Sequence, residues 1–205
     1  IITMLDVVNG NLVVEEKGIY SIENFIGARR IMYWQVYMHK TVVASEYMLT
    51  SILKRAKELY LQGNDLFASP SLKVFLQNQV TLENFRQGAA WLENFALIDD
   101  NDVITSVKVW QTCDDIILAT LCRMILSRKL FKTEISKIAF TEDKINRQKD
   151  LIAAKLGIGK DQVHYFALTE KLINSAYDEK DKQIIILSRS GGTQDIVQAS
   201  DNLNI

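Results

Sequence analysis

The spacing of apolar positions changes character along this chain, and each change marks an element. Leu5-Asp6-Val7-Val8 and Leu12-Val13-Val14 flank Asn9-Gly10, the strongest short turn signal, so residues 4–17 read as a small hairpin. Gly18 then breaks the strand, and Ser21 reads as an N-cap with Glu23 in the first turn. From Ile22 to about Leu61 the spacing is helical, with Phe25, Ala28, Met32, Val36, Val43 and Tyr47 on the apolar side. That stretch holds no proline and only Gly27, and it is longer than an ordinary helix, so one break or bend is expected within it.

Gln62-Gly63-Asn64-Asp65 is a turn, and Ser69-Pro70 opens a helix near 71–78. Thr81-Leu82-Glu83-Asn84-Phe85 reads as a capped turn. Asp99-Asp100-Asn101-Asp102 is an N-cap cluster for a helix near 103–128, which buries Val107, Trp110, Ile117, Leu118, Leu121 and Ile125. The pattern shifts near Leu130. Lys132 to Ala139 reads as a strand, Thr141-Glu142-Asp143 caps a helix to about Leu156, and Gly157 ends it. Val163–Leu168 and Gln183–Leu187 read as strands, the latter followed by a Ser190-Gly191-Gly192 turn. The fold class is therefore mainly α, a helical bundle with an N-terminal β-hairpin, followed by a small α+β C-terminal lobe. The expected domains are 1–130 and 131–205.

Composition sharpens this only a little. Of 205 residues, 48% are hydrophobic and 24% charged, which suits a packed core rather than disorder. The net charge of −1 gives no bulk argument for nucleic acid or a membrane surface. No apolar run reaches the roughly 18 residues that a membrane helix needs, and Ile1-Ile2-Thr3-Met4-Leu5-Asp6 lacks the features of a signal peptide. Cys113 and Cys122 fall in one expected helix with ~13 Å of rise between them, too far for a disulfide. The expectation is a cytoplasmic protein with free thiols. A start at Ile1 without an initiator Met, an end at Asn204-Ile205 straight after an expected element, and a single proline together suggest an interior piece of a longer protein.

The usual catalytic signatures are missing. The two histidines, His39 and His164, are far apart in sequence, and there is no HxxxH, CxxC or His-Asp pair, so no metal site and no catalytic residue is assigned in this chain. No G-x-S-x-G elbow is present. Ser188-Arg189-Ser190-Gly191-Gly192 faintly suggests a phosphate cradle but lacks the Walker pattern, and a tight turn after an edge strand is the preferred reading. Asp99, Asp100 and Asp102 read as a cap, and Glu15 and Glu16 as a solvated strand end.

The informative stretch is Ala28-Arg29-Arg30-Ile31-Met32-Tyr33-Trp34-Gln35-Val36-Tyr37-Met38-His39-Lys40. On a helix, Arg29, Tyr33 and Tyr37 lie four apart, with Lys40 close to the same face. One guanidinium, two phenols and one ammonium then form a row of ~16 Å. Such a row suits a triphosphate with its sugar and base: the guanidinium forks onto phosphate oxygens and a tyrosine meets sugar or base. Spacing alone favours the plainer alternative, an amphipathic helix with half-buried tyrosines and solvated cations.

The pattern Ala28-Arg29-Arg30-x-Met32-Tyr33-x-x-Val36-Tyr37-x-His39-Lys40 resembles the helix that follows the HD core in HD-domain phosphohydrolases. Within them it is most similar to the deoxynucleoside triphosphate triphosphohydrolases, including the SAM- and HD-domain-containing type. Gly10–Ser21 resembles the hairpin and entry turn of bacterial members, and Ser127-Arg128-Lys129-Leu130-Phe131-Lys132 resembles the family's Arg-x-Leu-Phe-Lys segment. The resemblance implies a parent enzyme in which water attacks a deoxynucleoside triphosphate with the help of a divalent metal. The metal's ligands, a His, a His-Asp pair and a later Asp, would lie upstream of the hairpin. Residues 1–130 would then be the helical part of an HD-type domain without its metal-binding helices.

By resemblance Arg29 contacts phosphate, Tyr33 stands at a substrate-contacting position often held by His, and Tyr37 lies near sugar and base. Lys17, Lys40, Arg128 and Lys132, with His39 beside Lys40, match basic positions that bind activator nucleotides between subunits in regulated members. Glu15 departs from that pattern, standing where such members carry Arg, and a carboxylate repels phosphate. The expected partners are a deoxynucleoside triphosphate, the missing HD portion and further copies of the chain. The alternative reading is a nucleotide-binding regulatory or oligomerisation module without catalysis.

Overall fold

The computed structural model describes residues 2–171, 177 and 183–202. It divides the chain into two compact units, Ile1–His39 with Lys171–Ile205, and Lys40–Glu170.

The first unit is built on a four-stranded sheet of order β1-β2-β3-β4. Strands β1 (Leu5–Val8) and β2 (Asn11–Glu15) form the expected hairpin, in register Leu5 to Val14. Asn9 (φ 52°) and Gly10 (φ 77°) both take the left-handed conformation that a two-residue hairpin turn requires. Strand β3 (Ile185–Leu187) lies parallel to β2 with Val14 opposite Ile186, and β4 (Thr193–Asp195) returns antiparallel. Val14, Ile186, and Ile196 on the short helix Ile196–Ala199 form this unit's core with Ile22 and Ile26 of the helix α1, Ile19–Met32. At Gly18 a Cβ would stand 2.7 Å from Val14 Cγ1, so only glycine lets the chain pass from strand to helix there. The C-terminal segment is tied to α1: the Glu23 carboxylate accepts from the Ser200 hydroxyl and, at 2.9 Å, from the Asn202 amide.

The helix starts earlier than expected. A 3-10 turn at Glu16–Gly18 runs straight into Ile19, so Ser21 lies inside the helix and is no cap. The expected break is present. After Met32 the helix widens into a π turn at Tyr33–Tyr37, closed by Met38 N–H donating to the Tyr33 carbonyl at 2.7 Å, and helix α2 begins afresh at Lys40.

The second unit holds α2 (Lys40–Leu61), α3 (Pro70–Gln77), α4 (Leu82–Gln87), α5 (Ala89–Leu97), α6 (Asp100–Trp110), α7 (Ile116–Leu126) and α8 (Glu142–Leu156). Met48, Ile52 and Ala56 of α2 are fully buried with Leu118, Leu121 and Cys122 of α7 and with Val107 and Trp110 of α6. The Trp110 indole donates to the Phe67 carbonyl at 2.7 Å, so its polar edge is satisfied inside the core. Burial pushes the Cys122 thiol up to about 12, which keeps it protonated and inert.

Several sequence expectations fail for identifiable reasons. The single helix over 103–128 is two, because Asp115 caps a new start: its carboxylate accepts from Leu118 N–H at 2.8 Å. Cys113 therefore sits in the bend and Cys122 on α7. Helix α5 was not anticipated. Lys132–Ala139 is no strand, having no ladder partner among the described residues, and Val163–Leu168 is no strand either, its first three residues ending a 3-10 helix over Lys160–Tyr165. A short apolar run does not distinguish strand from helical turn. The expected boundary at Leu130 falls inside the second unit, while β3 joins the hairpin through its parallel pairing with β2.

Arg55 and Asp115 join α2 to the start of α7. The guanidinium donates twice to the carboxylate, at 2.6 and 3.1 Å, and both side chains are largely buried. Burial opposes ionisation of Asp115, but the hydrogen bonds from Arg55 and from the Leu118 N–H, with the charge of Arg55, outweigh it and hold the carboxyl below its usual range. Its stabilising contribution is thus complete above the ordinary carboxylate pKa and is lost as pH falls through the lower folded value. Replacing Asp115 with Ala removes the cap and strands a guanidinium, and should cost about 2–4 kcal/mol. Denaturant titration at neutral pH measures this, and the variant should also lose part of the wild-type acid slope.

Candidate functional site

The row anticipated on α1 exists as a set of contacts. The Arg29 guanidinium lies over the Tyr33 ring, 5.5 Å from its centroid, with one amino group 3.5 Å from the phenol oxygen. The rings of Tyr33 and Tyr37 follow at 5.2 Å, tilted by 43°. In a regular α-helix residues four apart advance by about 40° around the axis. Tyr33 and Tyr37 instead open and close the wider π turn, where their rings are adjacent.

The surroundings differ from the sequence picture. Met32 and Val36 were expected on a packing side, yet both are exposed, as are Phe25, Ile31 and Trp34. Only Ile22 and Ile26 of α1 are buried. The row thus lies on an exposed surface where Arg29 and Arg30 stand beside apolar side chains.

Of the five candidate regulatory positions, Lys17 and His39 belong to the first unit and Lys40, Arg128 and Lys132 to the second. Within the second unit, the Thr133 hydroxyl donates to the Lys40 carbonyl at 3.3 Å and brings the segment bearing Lys132 against the first turn of α2. Arg128 follows α7 in a left-handed conformation, φ 56°. Its N–H donates to Ile125 O at 3.1 Å and that of Lys129 to Met124 O at 2.9 Å, the hydrogen-bond pattern of a helix end that usually carries glycine at this position. Lys17 is taken by Glu15 at 2.5 Å, and Glu16 accepts the Arg189 N–H at 2.9 Å.

The Ser188–Gly192 loop is a closed turn. Ser188 Oγ accepts the Gly192 N–H at 3.1 Å, and Ser188 O accepts that of Gly191 at 3.0 Å, so these donors point inward. Among the described residues no three His, Cys, Asp or Glu side chains gather in a way that fits a metal ion. No helix there is long and apolar enough to cross a membrane. The polar cluster that sequence reading missed is Arg55, Glu58, Asp115 and Tyr165. Its members meet across 60 and 107 positions, a separation that leaves no local signal.

Residues 1–69 match the family described as HD associated region. The chain is 33% identical over 121 residues to the uncharacterized protein YwfO of Bacillus subtilis, covering 59% of this chain and 26% of YwfO. The crystal structure of a phosphohydrolase from Bacteroides thetaiotaomicron matches 99% of this chain with a TM-score of 0.87 at 47% identity, and the match covers 50% of that chain. The chain thus spans about half the length of the phosphohydrolase and about a quarter of YwfO. Its first third is similar to the HD associated region, and its fold is similar to that of half of the phosphohydrolase chain.

The left-handed backbone at Arg128 yields a direct test. Arg128→Gly should raise the stability of the chain by about 0.5–1 kcal/mol, because the strain outweighs the added freedom of the unfolded glycine. A thermal melt of the two proteins decides it, and a lower melting temperature for the glycine variant would mean that the arginine side chain itself stabilises this helix end.

Proposed function

We propose that this chain is the substrate wall and C-terminal portion of a metal-dependent HD-family nucleotide phosphohydrolase acting on deoxynucleoside triphosphates. The observation that carries the reading is the contact row Arg29–Tyr33–Tyr37, placed on an exposed apolar helix within an HD-associated region. In the proposed reaction, water oxygen bonds to the α-phosphorus, the bond from that phosphorus to the 5′ oxygen of the sugar breaks, and triphosphate and deoxynucleoside leave. A divalent metal held elsewhere in the parent would polarise phosphate and activate the water. The described residues offer no ligand set that fits such a metal, and no step is assigned to it on this chain.

The chain's own residues bind and orient. Arg29 offers a fork of N–H donors for phosphate oxygens, and stacking over Tyr33 limits the positions that its guanidinium samples. The phenols of Tyr33 and Tyr37 present faces and hydroxyls for a sugar and base. The exposed Phe25, Ile31, Met32, Trp34 and Val36 provide the apolar surface against which the metal-bearing HD portion would pack, excluding water from the row.

A second reading, nucleotide binding for regulation at Lys17, His39, Lys40, Arg128 and Lys132, has one feature in its favour. The Thr133–Lys40 hydrogen bond brings Lys40 and the Lys132 segment together. The Glu15–Lys17 pair weighs against Lys17 as a phosphate ligand.

In the intact parent enzyme, Arg29→Ala should lower kcat/KM for a deoxynucleoside triphosphate by about 2–4 kcal/mol in transition-state stabilisation, roughly 30- to 1,000-fold. Arg29→Lys should recover only part of this, because a point charge does not reproduce the fork. Steady-state kinetics with each substitution is the measurement, and unchanged constants for the Ala variant remove Arg29 from the substrate wall.

A further inference from the structure

The row Arg29–Tyr33–Tyr37 is carried by the part of α1 that the first unit holds least. Ile22 and Ile26 are buried against Ile186 and Ile196, and no residue of α1 after Ile26 is buried. Within this unit, the angle to which the helix is rolled about its axis is therefore set in the turns up to Ile26. The two isoleucines alone define that roll loosely, because apolar contact is non-directional.

Glu23 supplies the missing direction. It lies next to Ile22, about 100° round the axis, and both its carboxylate oxygens are engaged. One accepts from the Ser200 hydroxyl and the other from the Asn202 amide at 2.9 Å. The donors are themselves fixed. Ser200 is 2% exposed, its N–H donates to the Ile196 carbonyl at 2.9 Å, and its Oγ accepts the Asn202 N–H at 3.1 Å. Ile196 is fully buried in the core that holds Ile22 and Ile26. Two donors aimed at one carboxylate make a charge-assisted, directional tie. The same hydrogen bonds hold the Glu23 carboxyl below its usual range.

We infer that Glu23 is a positioning residue for the row, through which residues 200–202 fix the roll of α1. The inference rests on the substrate-wall reading of Arg29, Tyr33 and Tyr37. Arg29 lies six positions beyond Glu23, about 9 Å along the axis, and no buried residue after Ile26 corrects an error in between. A guanidinium at a radius of about 6 Å moves by about 1 Å when the helix rolls by about 10°. A misplacement of about 1 Å in a group that orients substrate is enough to cost about 100-fold in rate. Glu23 stands outside the row, so its effect on the reaction is exerted through the placement of Arg29 and the two rings.

The test is a double-mutant cycle in the intact parent enzyme, read by steady-state kinetics on a deoxynucleoside triphosphate. Glu23→Ala should lower kcat roughly 10- to 100-fold with KM little changed, because substrate still binds but is poorly aligned. Glu23→Gln should keep most of the activity, its amide oxygen accepting from Ser200 and its NH2 group donating to the Asn202 side chain turned over. Added to Arg29→Ala, Glu23→Ala should cause little further loss, since the group it positions is gone. A merely structural role would instead multiply the two losses. Asn202→Ala, at an exposed residue, removes one of the two bonds and supplies the same cycle where Glu23→Ala fails to fold. Unchanged kcat in the Glu23 and Asn202 variants, or losses that multiply with that of Arg29→Ala, overturns the positioning role and leaves the substrate wall standing. Full activity of Arg29→Ala by itself overturns the wall and this inference with it.

Discussion

The second unit depends on how one arginine is neutralised. Arg55 lies on the same helix as Met48, Ile52 and Ala56, which are fully buried, and its own side chain is 13% exposed. A guanidinium so placed demands an anion, and Asp115 supplies one while also capping α7. The single carboxylate therefore settles two matters: where α7 begins and how its apolar face meets α2. Glu58 reaches the same guanidinium at 3.3 Å, and the Tyr165 ring lies 5.5 Å from it, its hydroxyl donating to Glu58. The 3-10 helix is thereby fastened to α2, and Leu118, Leu121 and Cys122 are fixed in the core by a polar contact at its edge.

Elements whose signals are local were legible in the sequence. Asn9-Gly10, Ser69-Pro70 and the Thr141 cap with its closing Gly157 each satisfy backbone groups within a few residues, and the structure places them as expected. Elements decided by distant partners were not legible. The bend before Asp115 exists because Arg55 waits sixty positions away, and the apolar run at Val163 turns helical where Tyr165 can reach Glu58. The row on α1 was readable from its four-residue spacing, but its chemical meaning came from resemblance. Periodicity showed neither the π turn nor the exposure of Met32 and Val36, because an apolar helix face looks the same whether its cover belongs to the same segment or to another.

In the proposed reading, the row on α1 serves recognition. Arg29, Tyr33 and Tyr37 offer donors, a positive charge and ring faces, and their contacts with one another restrict the rotamers each would otherwise sample. Such a wall is effective only where water is excluded, since a guanidinium in bulk solvent attracts phosphate weakly. The apolar residues beside the row are thus as much a part of its design as the cation.

The parallel pairing of β2 with β3 has a consequence for how the molecule is made. Val14 is synthesised well before its neighbour Ile186, with all of residues 40–170 in between. The thermodynamic cost of closing so long a loop grows only slowly with its length, but the wait is long. Until Ile186 and Ile196 emerge from the ribosome, Val14, Ile22 and Ile26 lack the partners that cover them, while the intervening helices already have theirs. The hairpin is therefore covered only after the helices that separate it from β3 have been made, and a ribosome that stalls before Ile186 leaves those helices folded and the hairpin open and adhesive.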